Sequence, residues 1–222
     1  MTSELVDSMG ALSCEELESK LDNFGAKVYE DSHASGFAVL YPGKNPFQNA
    51  AYERAIKHNS AFRNFPARLV QPLWAKAGED LKIEMWKTTG TLPISQEPIS
   101  YKILDISTRT RLVETSVEVF KLNGRHFFAS GDCVDQFDLS VLAKVLSANP
   151  RLSAEVVVWN RSRRKGQAMT RLLRKEAISV NGIPTGKIKI TYAGQGTAKE
   201  WSSVVSGVEI WLFPAKHKKP LG

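Results

Sequence analysis

The run Arg161-Ser162-Arg163-Arg164-Lys165, followed by Arg171, Arg174 and Lys175, places seven bases in fifteen residues. Guanidinium and ammonium groups clustered in this way can neutralise several phosphates and release their counterions, and Gly166 and Gln167 inside the run give little to bury. Trp159 stands directly before the run, and Trp201 and Trp211 follow further on, so an aromatic surface for stacking unpaired bases can flank the charges. The nucleic-acid-binding set expected from sequence is therefore Trp159, Arg161, Arg163, Arg164, Lys165, Arg171, Arg174 and Lys175. No RNP-type motif, zinc knuckle or GXXG loop accompanies it, so sequence-specific readout has no support. The same run, together with the tail Lys216-His217-Lys218-Lys219, also suits nuclear import or an anionic membrane surface. A plainer alternative is a solvated basic loop that balances acids elsewhere in the chain.

His126, Asp132, Cys133, Asp135 and Asp138 are the one concentration of catalytic residue types. A cysteine with a histidine base, and arginines to hold an anion, would suit an enzyme acting on a phosphate-bearing substrate. The spacing matches no acid–base pair or metal-ligand pattern, and Asp138 reads more simply as a helix cap. Gly194-Gln195-Gly196-Thr197-Ala198-Lys199 invites a phosphate-loop reading but fails it, because the second glycine comes too soon and Glu200 follows the lysine. No cofactor or metal is expected.

Charge is segregated along the chain. The net charge is +7, yet Met1 to Ser35 holds eight acids against two lysines, and Arg151 to Lys175 holds eight bases against one glutamate. An acidic first helix could dock on the basic segment of its own chain or a neighbour, which would drive self-association or autoinhibition. The hydrophobic fraction of 42% with 24% charged residues is that of a globular protein. Cys14 and Cys133 give no disulfide framework and read as reduced thiols. With no signal-peptide pattern and no apolar run long enough to span a bilayer, the expected compartment is cytoplasmic or nuclear rather than secreted. Asn160-Arg161-Ser162 then reads as a chance sequon.

The elements that must position these residues follow from periodicity. Ser13 and Glu16 form a capping box ahead of Leu17, Leu21 and Phe24, which predicts an acidic amphipathic helix. Gly36 to Tyr41 reads as a strand, a helix follows through Ile56, and the spacing of Leu69, Val70, Leu73 and Trp74 predicts another helix from Pro66 to Ala77. Leu81, Ile83 and Met85 alternate with Lys82, Glu84 and Trp86, and Ile99, Tyr101 and Ile103 alternate likewise, as strands do. Arg111 to Leu122 and Arg125 to Ala129 flank Asn123-Gly124 and predict a hairpin. Asp138 caps a helix through Leu146, and Glu155 to Trp159 is a strand covered on both faces. Asn181-Gly182 joins Ala177–Val180 to Ile183 onward, Lys187 to Tyr192 alternates, and Val208 to Phe213 is the last strand. No internal repeat or heptad run is visible.

These elements predict an α+β, β-rich fold with an antiparallel, hairpin-built sheet and several short helices. The expected organisation is an acidic helical segment over 1–35, a β-rich domain over 36–215 with a possible division near 150, and a basic tail over 216–222. The expected function is a non-enzymatic polyanion-binding structural or assembly protein, a viral matrix, coat or nucleoprotein-like type, that binds RNA or DNA. The alternatives are the Cys133/His126 enzyme and a peripheral binder of anionic membranes.

Overall fold

The computed structural model describes residues 2–98, 100–103, 106–122, 125–130, 137–194 and 206–214, with 118–122 and 125–130 described by their backbone alone. The fold is α+β. Residues up to Ser100 form one compact unit, and the described residues from Tyr101 onward form a second. Pro150 lies within the second unit, in the turn between a helix and the strand after it.

The first unit runs β1 (Ser3–Met9), α1 (Cys14–Tyr29), β2 (Ser35–Tyr41), α2 (Pro46–Phe62), β3 (Gln71–Trp74) and β4 (Lys82–Thr88). Its sheet order is β1-β4-β2-β3, with β2 and β3 parallel and the other pairs antiparallel. The capping box forms as its residues require: the Ser13 hydroxyl accepts from the Glu16 N–H at 3.3 Å, and the Glu16 carboxylate accepts from the Ser13 N–H at 3.0 Å. Leu17, Leu21, Phe24 and Val28 of α1 pack with Tyr52 and Ile56 of α2 over Ala38, Leu40, Ile83 and Met85 of the sheet.

Two expected elements in this region are corrected. Pro66–Ala77 is not a helix; it contains a turn and the four-residue strand β3. Pro72, in the middle of that segment, would have broken a helix, and it is tolerated in β3 because an edge strand leaves one row of backbone groups unpaired. Tyr101 and Ile103 belong to no strand. The Asn149 side chain takes the place of a strand partner, donating to the Tyr101 carbonyl at 2.8 Å and accepting from the Ile103 N–H at 3.0 Å; Ile99 lies outside the described residues.

The second unit runs β5 (Thr110–Leu122), β6 (Arg125–Ser130), α3 (Leu139–Ala148), β7 (Leu152–Asn160), α4 (Arg163–Lys175), β8 (Ile188–Gly194) and β9 (Ser206–Pro214), in sheet order β6-β5-β9-β7-β8. β5 and β6 form the expected hairpin, although Asn123-Gly124 lies outside the described residues. Asp138 caps α3, its carboxylate accepting from the Ser140 N–H at 2.7 Å. Asn181-Gly182 makes no hairpin. Residues Glu176–Val180 extend α4 as a π-helical turn, and Gly182, at φ 66°, closes it by turning the Ile183 N–H back to the Ala177 carbonyl at 2.9 Å.

The two units share one plan, which corrects the expectation of no internal repeat. β1, α1, β2, α2, β3 and β4 correspond in order to β5, α3, β7, α4, β8 and β9, with the same neighbours and the same parallel or antiparallel sense at every pairing. The likeness extends to single residues. One extra residue bulges at Val6 between Leu5, opposite Trp86, and Asp7, opposite Met85; another bulges at Leu112 between Arg111, opposite Trp211, and Val113, opposite Ile210. In each unit the last strand carries Glu-x-Trp, and the indole N–H donates to that glutamate: Trp86 to Glu84 at 2.9 Å, Trp211 to Glu209 at 2.7 Å. β6 is an addition at the edge of the second unit.

Cys14 is disulfide-bonded, which corrects the expectation of a reduced thiol there. Cys133 lies outside the described residues. No helix among the described residues is long and apolar enough to cross a membrane.

Candidate nucleic-acid interface

The basic run is not a loop. All but its first residues form α4, the crossover helix between the parallel strands β7 and β8. Asn160, at the end of β7 and 4% exposed, fixes where that helix begins. Its side chain donates to the Ser206 hydroxyl at 2.6 Å and accepts from the Ser162 N–H at 2.8 Å, while its carbonyl accepts from the Tyr192 hydroxyl at 3.0 Å. A residue so enclosed does not present a sequon. Ser162 then serves as N-cap, its hydroxyl accepting from the Lys165 N–H at 3.4 Å.

Gly166 seats the helix. A Cβ placed there would stand 2.2 Å from the Tyr192 ring, so only glycine lets the helix lie this close to β8. Met169 and Leu173 complete the inward stripe, against the face of the sheet formed by Val156, Val158, Ile190, Val208 and Ile210. Burying each such aliphatic side chain contributes roughly 1.5–3 kcal/mol.

The opposite side of α4 is basic. At about 100° per residue, Arg164, Arg171 and Lys175 fall within about 40° of one another, almost diametrically opposite Gly166, Met169 and Leu173. Arg163 and Arg174 lie on one flank of that crest and Lys165 on the other. All six side chains are exposed, and no acid lies within the helix. Arg174 also donates to the Ile190 carbonyl at 3.0 Å, tying the helix to β8. Arg163, Arg164, Lys165, Arg171 and Lys175 form no ion pair among the described residues. Three of the bases occupy the first turn, where the aligned peptide dipoles already favour negative charge and disfavour positive charge. Arg161, just ahead of the cap, is exposed as well.

Trp159 does not join this surface. Side chains alternate along β7, so Val158 and Asn160 point toward the helices and Trp159 to the other face of the sheet, where it packs over Gly207. That face carries its own bases, but they are paired. Glu155 meets Arg109 at 3.0 Å and Lys189 at 2.9 Å; Glu209 meets Arg111 at 3.0 Å; and the Arg109 and Arg111 guanidiniums lie 4.2 and 5.6 Å from the centre of the Trp211 ring. Arg111 also pairs with Glu114. This network went unread in the sequence. The alternation of Val208-Glu209-Ile210-Trp211, putting the acid and the indole on one face, was the signal available.

Several acids of the first unit are engaged locally. Asp7 receives Lys20 at 2.6 Å, and that hydrogen bond holds its carboxyl below the usual aspartate range; Asp22 pairs with Arg63 at 2.5 Å. On α1, Glu16 is committed to the capping box. Of the catalytic residue types, Asp138 is the α3 cap, His126 lies in β6 with no side chain described, and Asp132, Cys133 and Asp135 fall outside the described residues. So do Trp201, the stretch 195–199 and the tail 216–219. Among the described residues no group of acids, histidines and cysteines is placed to hold a metal ion. No protein-family model and no curated protein matches this sequence.

Proposed function

We propose that the chain is a nucleic-acid-binding protein of the structural or assembly type, and that the outward face of α4 makes the contact. The observation that carries this reading is the crest Arg164–Arg171–Lys175 with its flanks: exposed bases, no acid among them, and no ion pair among the described residues. Cations held apart from counter-charges on one rigid helix raise the local potential and gain most from a polyanion. The first turn adds to this, since an anion there relieves the repulsion between three bases and the positive end of the helix.

The composition of the face favours nucleic acid over lipid. Between the bases stand Gln167 and Ala168, and no large apolar side chain on α4 is exposed to enter an acyl boundary.

The test is a titration of the whole chain with nucleic acid across a series of salt concentrations, repeated with the Arg164→Gln/Arg171→Gln/Lys175→Gln variant and with anionic vesicles. Tight binding that weakens steeply with salt, with a slope reduced by about 0.7–0.9 for each base removed, supports the reading. A slope unchanged in the variant, or binding to vesicles and not to nucleic acid, overturns it.

A further inference from the structure

We infer that α4 is built for double-stranded nucleic acid, gripped through its phosphates without reading sequence. This rests on the nucleic-acid reading above and narrows its ligand.

The first ground is what the face lacks. Proteins that hold unpaired strands combine a basic groove with aromatic rings on which bases stack, worth about 1–3 kcal/mol per base. α4 itself carries no aromatic residue. The two nearest in sequence are both removed from its outer surface: Trp159 is turned to the opposite face of the sheet, and Tyr192 lies under Gly166 with its hydroxyl bound to the Asn160 carbonyl. Among the described residues a single strand would find charge there and no platform.

The second ground is how the bases are spread. They form no single row. From Arg163 through Arg171, Arg164 and Lys175 to Lys165 they cover about 200° of the helix circumference, over about 18 Å of its length. One strand follows one line of phosphates and would engage one side of this arc. A duplex offers two lines of phosphates on either side of a groove, with one charge per about 1.7 Å of axis, so both flanks and the crest are used together. Ala168, on the crest between Arg164 and Arg171, keeps that surface low, and a helix about 10–12 Å across fits a B-form major groove about 12 Å wide. Among the described residues no neighbour holds the first-turn arginines or Gln167 in the fixed geometry that base readout needs. Duplex DNA and duplex RNA share the paired phosphate lines, although the A-form major groove is too narrow for a helix.

The experiment uses the full chain with short duplex DNA, duplex RNA and each component single strand, in two unrelated sequences and at matched salt. The expected result is at least tenfold tighter binding to a duplex than to its own strands, equal for the two sequences, with the preference abolished in the Arg164→Gln/Arg171→Gln/Lys175→Gln variant. Single strands bound as tightly as the duplex would overturn the duplex assignment, and a preference between the two sequences would overturn grip through phosphates alone; either leaves the nucleic-acid reading standing. Binding to none of these nucleic acids would remove both. Preference for DNA over RNA duplex supports groove entry by α4; equal binding to both supports contact along the phosphate ridges.

Discussion

α2 and α4 occupy the same place in two copies of one fold, each crossing between the two parallel strands of its sheet. Over seventeen residues α2 carries one acid and two bases, with Glu53 and Lys57 paired at 2.7 Å; over thirteen residues α4 carries six bases and no acid. The architecture therefore does not call for a basic crossover helix. The anchoring differs in parallel. Four residues beyond each N-cap stands an inward position: Asn49 in α2, whose side chain ties both backbone groups of Gly43 at 2.9 and 3.0 Å, and Gly166 in α4, which leaves room for a ring. In the second unit Asn160 holds the strand-to-helix turn instead, so the helix can be seated flat and its outer face given over to charge.

The comparison breaks most visibly if charge on α4 does not matter. Reversing its crest with Arg164→Glu, Arg171→Glu and Lys175→Glu should weaken nucleic-acid binding by on the order of a thousandfold at low salt, since three attractive contacts become repulsive. Circular dichroism and melting temperature should stay near those of the native chain, because the three side chains are exposed and form no ion pair among the described residues. Retained affinity would mean that the contact lies elsewhere, with the bases of the tail as the next place to look.

A smaller effect should distinguish the two ways of anchoring. Asn49→Ala strips the Gly43 N–H and carbonyl of their partners and should cost about 2–3 kcal/mol. Gly166→Ala drives a methyl group into the Tyr192 ring and should cost about 1–3 kcal/mol. Hydrogen exchange should show the first loss in residues of the first unit and the second loss in α4 and β8. Adding Tyr192→Ala to Gly166→Ala should relieve the clash and show coupling between the two sites. Equal loss in both units from either variant would contradict the division of the chain.

Much of this fold was legible because local signals agreed with burial. The Ser13/Glu16 box, the Asp138 cap and the Val156-Val157-Val158 run each depend on neighbours a few residues away, and each element formed where those residues put it. Elements decided by distant partners were not legible. β1 is exposed along most of its length and is held by pairing with β4, far along the chain, so it shows little alternation of its own. The basic segment has no local helix signal of its own, because Gly166 interrupts it, and the reason for that glycine, Tyr192, lies a full crossover away. The repeat left only faint traces, Ile83-Glu84-Met85-Trp86 against Val208-Glu209-Ile210-Trp211, because a shared topology constrains which face a residue occupies far more than which residue it is. The bases of the candidate site were legible as a list, and their separation from Trp159 was not, since it depends on which side of β7 each residue takes.

A smaller, pH-dependent effect distinguishes the first unit. Glu84 is buried, which by itself raises its carboxyl, but hydrogen bonds from Lys82 at 2.6 Å, Trp86 at 2.9 Å and Tyr41 at 2.8 Å, with the Lys82 charge, prevail and hold it below the usual glutamate range. A depressed folded value contributes stability that is present above the unfolded value and lost as pH falls through the folded one. Glu84→Gln should therefore flatten the acid limb of the stability profile. Tyr41, pushed up to about 12 by burial and then by its hydrogen bond to Glu84 and the charge of that carboxylate, should ionise later than an ordinary tyrosine, and its share of stability should fade between about pH 10 and 12. A stability profile identical to that of the native chain in both Glu84→Gln and Tyr41→Phe would show that this cluster does not couple to folding.

The smallest expected effect is the control on which the comparison depends. Arg54 and Lys57 are exposed on α2, as the bases of α4 are on theirs, but Lys57 is engaged by Glu53 one turn away and no row of like charge surrounds them. Arg54→Gln/Lys57→Gln should leave nucleic-acid affinity within about twofold and the salt slope unchanged, because charges outside a cluster of like charge release few counterions. Loss of the Glu53–Lys57 pair should cost no more than about 0.5 kcal/mol, as exposed i, i+4 pairs do. A drop in affinity comparable to that of the α4 variants would show that the two crossover helices bind together, and that pairing on the helix surface does not decide which bases are available to phosphate.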